Sequence, residues 1–423
     1  MDTGRYTSVC NNELLEYGSE RGFIYLFDGT IGSHISLPDG IVQLVFRYLS
    51  VHELKYVSLT CHALNNAICK YILIDASRFE CEVVEHEGLS RKTRSNSYAW
   101  GNLLKMCTIF WPARERRNFM RHFYLMNKSV DSHTIWGQCF SGFYENWDRK
   151  ACSEFLDSVI RFTDLTRLLT VVMSDKVGKH YQLEMEIRQR FHGFFIDQLA
   201  ESESEQGFWL SVLLRTQKSV AEQGRLFMLL FGPVKYIHGE GRIDWYMLSE
   251  TIFTRNQCIQ IIKPLSSNLC CLVKTMELKS EFSWSDSEIF TLMEEITSAP
   301  QVWIFHNFAS LLLLRPELIR IALYYRIIYG HCKEAAHMLH VMKTVYYRWG
   351  CGIVESLLTP LLEIFKLLSM VQRRHFLAEI VLTQSHLLDE YLRRFPFDRL
   401  HFLDELTASS AILPLLSILA ADI

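Results

Sequence analysis

The chain has 423 residues, 49% hydrophobic and 22% charged, with 44 Lys plus Arg against 47 Asp plus Glu and a net charge of −3. Neither a basic nucleic-acid binder nor an acidic unfolded chain has this balance, and the length allows two or three folding units with a large buried core. Only 9 Pro and 20 Gly among many Leu, Phe and Tyr point to an all-α protein.

Residues 1–33 read as a partly ordered N-terminal tail with one apolar patch, Phe23-Ile24-Tyr25-Leu26-Phe27. They lack the basic stretch and apolar run of a secretory signal, so the expected location is nucleus or cytoplasm. A compact three-helix unit is expected over residues 34–75. Its first helix starts at Pro38-Asp39, where Pro is tolerated and an acid suits the positive end of the helix dipole. Ile41, Val42, Val45, Phe46 and Leu49 recur at the spacing of one helical face. Ser50-Val51-His52-Glu53 is a capping box that opens a second helix carrying Leu54, Val57 and Leu59. A third helix carries Leu64, Ile68 and Ile72, each four residues apart.

Residues 76–97 read as a polar linker, with Glu80, Glu82, Glu85 and Glu87 ahead of Arg91-Lys92-Thr93-Arg94-Ser95. So short a basic run is better read as a solvated loop than as a nuclear-import signal. Residues 98–423 are expected to form a large, irregular helical region for substrate recognition, solenoid-like in one reading and built as one unit or two. Phe155, Val159, Phe162, Leu165, Leu169 and Val172 fall at helical spacing, as do Leu183, Ile187, Phe191 and Phe194. Ser285 and Glu288 make a second capping box ahead of Ile289, Leu292, Met293 and Ile296. Further helices are predicted around 309–329, 333–348, 354–368 and 373–392, with Pro316 and Pro360 breaking or kinking two of them. The most apolar of these, 309–329, contains Arg315, Pro316, Glu317, Arg320 and Arg326, which argues for a buried hairpin and against a membrane span. Period-two alternation is nearly absent, and no fixed-period self-similarity identifies a named repeat.

Catalytic spacing is missing. There is no GxSxG elbow and no phosphate-binding GxxxxGK[ST] loop, and Gly239-Glu240-Gly241 lacks the third Gly of a dinucleotide site. His86-Glu87 has no second His at the spacing of a zinc protease. His337 and His340, with His331-Cys332 upstream, share a helix face without a matching carboxylate and read as a packed pair rather than metal ligands. The 12 Cys are scattered without a CxxC pair, as in buried free thiols. No catalytic residue, metal or cofactor is therefore expected. Two segments are candidates for binding a protein target. Phe208 and Trp209, with Phe231-Gly232-Pro233, bracket Arg225-Leu226; they read as core or, alternatively, as a peptide groove. Arg114, Arg116, Arg117 and Arg121 follow Pro112 as a solvated basic face or, alternatively, a site for an acidic or phosphorylated partner.

Leu37-Pro38-Asp39, then Ile41, Val42, Val45, Phe46 and Leu49, then Ser50, Leu54, Val57, Ser58, Leu59 and Cys61 resemble the F-box family without a gap. Two positions depart from it: Gly40, where the family commonly has Glu, and Leu64, where it often has Trp. The rest resembles the F-box only protein 47 family through Leu103-Leu104-Lys105-Met106-Cys107-Thr108, Pro112, Glu115-Arg116, Phe208-Trp209-Leu210, Arg225-Leu226, Phe231-Gly232-Pro233, Trp284, Glu294-Glu295 and Trp303. This similarity is diffuse and covers most of residues 35 to about 370. The resemblance implies a non-catalytic substrate receptor of a Skp–cullin–F-box ubiquitin ligase, acting in meiotic germ cells. It also implies adaptor contacts from Leu37, Pro38, Ile41, Val42, Val45, Phe46, Leu49, Leu54, Val57, Leu59, Cys61 and Leu64, with a cullin-RING ligase reached through the adaptor. A unit of roughly forty residues is too small to bury all its apolar positions, which agrees with a docking role. A non-degradative scaffold or chromosomal structural protein is the alternative; neither membrane nor direct nucleic-acid contact is expected.

Overall fold

The computed structural model describes residues 38–84, 95–197, 202–394 and 399–421, and the fold is all-α. The expected tail over 1–33, Leu37, His86-Glu87 and the basic run 91–94 lie outside the described residues. The described residues divide into two compact units, one before residue 165 together with 193–197, the other comprising 165–192 and the described residues from 202 on.

The first unit begins with α1 (Asp39–Tyr48), α2 (Val51–Val57) and α3 (His62–Ile74). Pro38 stands at the N-cap of α1, and the Ser50–Glu53 capping box is complete. Next come α4 (Ala76–Val84), α5 (Asn96–Cys107), α6 (Ala113–Met126), α7 (His133–Tyr144) and α8 (Arg149–Phe162). Helix α4 corrects the linker reading of 76–97. Its Phe79 is fully buried, with ring centroids 5.6 Å from Trp100, 5.1 Å from Phe123 and 5.1 Å from Trp136. Glu82 accepts the indole N–H of Trp100 at 2.9 Å, so one of the acids that suggested a linker serves the core. Phe79 has only Ala76 and Val83 at helical spacing amid Glu80 and Glu82, a pattern too short to read as a helix; the aromatic cluster that receives it comes from three other helices.

Helices α5 and α7 cross at two glycines. A Cβ at Gly101 would lie 1.9 Å from the carbonyl oxygen of Cys139, and one at Gly142 would lie 2.2 Å from that of Tyr98. Gly101→Ala therefore forces two backbones apart, and the expected loss is about 3 kcal/mol despite alanine's helix propensity. A shift of the urea midpoint to lower concentration at unchanged m-value checks this.

The second unit contains α9 (Leu165–Ser174), α10 (Tyr181–Phe191), α11 (Glu203–Arg215) and α12 (Val220–Phe231). After a hairpin and short helical turns follow α13 (Lys263–Lys274), α14 (Asp286–Ser298), α15 (Phe305–Leu314) and α16 (Glu317–Ile328). The last helices are α17 (Cys332–Arg348), α18 (Ile353–Leu367), α19 (Met370–Arg394) and α20 (Arg399–Ala421). The Ser285–Glu288 box caps α14 as expected, and a Ser219–Glu222 box that the sequence reading missed caps α12. Arg315-Pro316 separates α15 from α16, whereas Pro360 sits buried inside α18 and does not end it.

The helical spacing from Phe155 to Val172 is not one helix. It breaks at Thr163-Asp164, where Asp164 has φ +65°, and the two halves belong to different units. The expectation of a purely helical domain also misses a two-stranded antiparallel hairpin, β1 (Val234–Ile237) with β2 (Glu240–Ile243). His238 and Gly239 turn it with φ of 52° and 85°, the positive pair that a tight hairpin turn needs. Four-residue strands give too little alternation to read. No helix among the described residues is long and apolar enough to cross a membrane.

Helices α17, α19 and α20 enclose a polar cluster. Lys343, fully buried, donates to Glu405 and, at 2.7 Å, to Gln384; Thr344 donates to the other Glu405 oxygen at 2.7 Å. His340 donates from Nε2 to the carbonyl of Ile380 at 2.8 Å and faces Lys343 with Nδ1 at 3.4 Å. Burial, with the Lys343 charge beside it, pushes His340 from 6.5 down to about 4. The folded protein thus prefers neutral His340, so this contribution is intact above pH 6.5 and is lost as pH falls toward 4. Between pH 7 and pH 5 the loss is expected to be about 2 kcal/mol. Urea unfolding at the two pH values, compared with His340→Gln, which removes the titration, measures it.

Candidate docking face

Helix α1 is apolar on two sides. Val42 and Phe46 point inward and are nearly fully buried, with the Phe46 ring 5.6 Å from that of Tyr71 on α3. Ile41 (48% exposed), Leu44 (51%), Val45 (50%) and Tyr48 (83%) recur at i, i+3, i+4 and i+7 and form a second stripe open to solvent. Tyr56 and Leu59, on and just after α2, are also exposed.

Arg78 of α4 fixes the orientation of α1. Its guanidinium donates to the carbonyls of Phe46 (2.8 Å) and Leu49, to the Tyr71 hydroxyl (3.0 Å), and pairs with Glu82 at 2.6 Å. A cation on the last carbonyls of a helix also meets the negative end of its dipole. The Ser50 amide donates to Glu53 at 2.7 Å, and this bond, with that from the Ser50 hydroxyl, lowers the Glu53 pKa. The α1–α2 corner is thereby set by local capping and by one distant arginine.

Of the twelve sequence-predicted adaptor residues, Leu37 lies outside the described residues and the other eleven fall into three classes. Pro38, Ile41, Val45, Leu59 and Cys61 are exposed, and Leu49, Val57 and Leu64 are half-buried. Val42, Phe46 and Leu54 are corrected: they are buried inside the unit and hold it together. Leu44, Tyr48 and Tyr56 are exposed members of the face that the sequence reading missed; heptad spacing from Ile41 identifies the first two. A Cβ at Gly40 meets nothing within 4 Å, so that departure removes side-chain contacts without answering any steric need.

The target-binding candidates change more. Phe208 and Trp209 are core residues, 4% and 3% exposed. The basic face of α6 divides. Arg116 stacks on Trp147 at 4.5 Å and Arg117 pairs with Glu154 at 2.6 Å, leaving Arg114 and Arg121 exposed. Arg225 donates to the carbonyls of Met173 (3.2 Å) and Asp175 (2.6 Å), ending α9. His337 packs on the Phe305 ring at 4.9 Å while His340 serves Ile380, and no three His, Cys, Asp or Glu among the described residues converge as metal ligands.

A family model described as "FBXO47, ARM repeats" matches residues 161–423. The chain belongs to this family. The FBXO47 match covers the second unit and begins well after the three-helix face of residues 38–74. Two curated relatives are both F-box only protein 47: the Mus musculus protein is 24% identical and the Homo sapiens protein 23%, each over 303 residues. Each alignment covers 67% of this chain and 64% of the relative, so the chain spans just under two-thirds of the relatives it matches. No solved structure matches. The ARM assignment supplies the repeat identity that the sequence periodicity lacks: the helices of residues 165–421 run from 10 to 25 residues where they exceed a single short turn, so no fixed period survives.

Proposed function

We propose that this FBXO47-family chain is a non-catalytic substrate receptor of a Skp–cullin–F-box ubiquitin ligase. The observation that carries the reading is the solvent-open stripe of Ile41, Leu44, Val45 and Tyr48 on a helix whose other apolar side is already buried. Exposed apolar helix faces of this kind mark partner surfaces. The Skp adaptor covers this stripe, with Tyr56, Leu59 and Pro38 at its edge, and links the chain to a cullin-RING ligase. The ARM-repeat region then holds a protein target close to the ubiquitin-charged enzyme. The rate gain comes from raised local concentration and not from a reacting side chain on this chain. Arg114 and Arg121, exposed on one helix, are suited to an acidic target segment. By family resemblance the setting is meiotic germ cells, in the nucleus or the cytoplasm.

Affinity capture of the full chain tests the reading. Recovery of the Skp adaptor and a cullin is the expected result, and a target that accumulates under neddylation block would identify the substrate. Capture of the adaptor without any ubiquitinated target in a reconstituted assay would instead favour a scaffold.

A further inference from the structure

The last helix, α20, carries a surface that the ligase reading leaves unused. Its residues 406–421 contain no Asp, Glu, Lys, Arg or His. One stripe, Ala408, Ile412, Leu415 and Leu419, is buried against the second unit. On the other side Leu403, Leu406, Leu413 (59%) and Ile418 are exposed, with Thr407, Ser410 and Ser417 between them. The hydroxyls of this face are satisfied within the helix: Thr407 donates to the Leu403 carbonyl at 2.8 Å, Ser410 to that of Thr407 at 2.7 Å, and Ser417 to that of Leu413 at 3.0 Å. The face can lose its water without stranding a polar side chain. A helix that is apolar all round belongs in a buried setting.

Charge decides the occupant. Any ionised side chain placed against Leu406, Leu413 and Ile418 would be dehydrated with no counter-charge on this face, at a cost of several kcal/mol. The complement must itself be uncharged over about 18 Å of helix, the length from Leu406 to Ile418. The same face of a second copy meets that condition. Antiparallel pairing about a two-fold axis between Leu413 and Pro414 sets Ser410 of one copy opposite Ser417 of the other, so that small side chains permit close approach while leucines flank them. We propose that the outer face of α20 is a self-association surface, covered in solution by the α20 of a second copy. This stands independently of the adaptor-docking reading, which concerns α1.

Sedimentation velocity of the full chain over a concentration series tests it. The wild type is expected to show a reversible monomer–dimer equilibrium. Leu413→Glu sets two unpaired carboxylates near the axis and should raise the dissociation constant about 100-fold or more. Ser410→Arg is a second probe that should act alike, and Val371→Glu, at an exposed apolar site on α19, should change nothing. Unaltered far-ultraviolet circular dichroism and unfolding midpoint establish that each variant is folded. A wild type that stays monomeric throughout, or a dimer indifferent to both α20 substitutions, overturns the proposal. A monomeric wild type that co-sediments with phosphatidylcholine vesicles overturns it too, by giving the face to lipid.

Discussion

Ile41→Asp combined with Val45→Asp is expected to abolish capture of the Skp adaptor while leaving the protein folded. Both side chains are about half exposed on one stripe of α1, and neither is needed to close the three-helix unit. Two carboxylates at the centre of an apolar docking patch would have to be dehydrated without partners, which removes several kcal/mol of binding, or about 100-fold or more in affinity. Phe46→Ala is the reciprocal control. It deletes a ring that is 3% exposed and packed at a tilt against Tyr71, so it should cost about 3–5 kcal/mol of stability. Undiminished adaptor capture by a folded Ile41→Asp/Val45→Asp protein would falsify the assignment of this stripe. Loss of capture together with a large drop in unfolding midpoint would show that the aspartates act on the fold instead.

Removing one member of the buried pair at α17 and α20 is expected to have the largest effect on the second unit. Lys343 and Glu405 are both almost completely buried, and Gln384, Ser409 and Thr344 complete the cluster around them. Burial lowers the Lys343 pKa, and although burial of Glu405 acts the other way, the Lys343 charge and its hydrogen bonds keep the Glu405 pKa below its ordinary value. Lys343→Met alone leaves a dehydrated carboxylate and should cost about 3–5 kcal/mol. Lys343→Met with Glu405→Leu removes both charges and should recover most of that loss, because an apolar pair of similar volume needs no compensation. Chemical denaturation of the two single variants and the double gives the coupling energy directly. A double variant no more stable than either single one would mean that the surrounding hydroxyls and amide, and not the charge pair, dominate the cluster.

Much of the local structure was legible because its causes are local. The Pro38 start of α1, the Ser50–Glu53 and Ser285–Glu288 boxes, and the stop at Arg315-Pro316 each depend on residues within one turn of the feature they create. The all-α class followed from the same signals summed along the chain. Where periodicity alone was used, it carried too far: Phe155 to Val172 keeps helical spacing across a break at Asp164, because two successive amphipathic helices in nearly matching phase look like one.

The amino-acid sequence by itself determined that residues 39–74 form three amphipathic helices with more apolar positions than so small a unit can bury. It did not determine which side of α1 faces inward. Ile41 and Val45 are only 100° around the helix from Val42 and Phe46, and all four are equally apolar. The tertiary structure made that choice by placing Tyr71 against Phe46 and by bringing Arg78, some thirty residues away and in a segment that read as a linker, onto the carbonyls of Phe46 and Leu49. The same holds for Phe79, Arg117 and Phe208, whose roles depend on partners contributed by other segments of the chain. Helix formation is set within a turn or two, whereas the inward or outward fate of a side chain is set by long-range packing; the candidate docking face exists only at that second level.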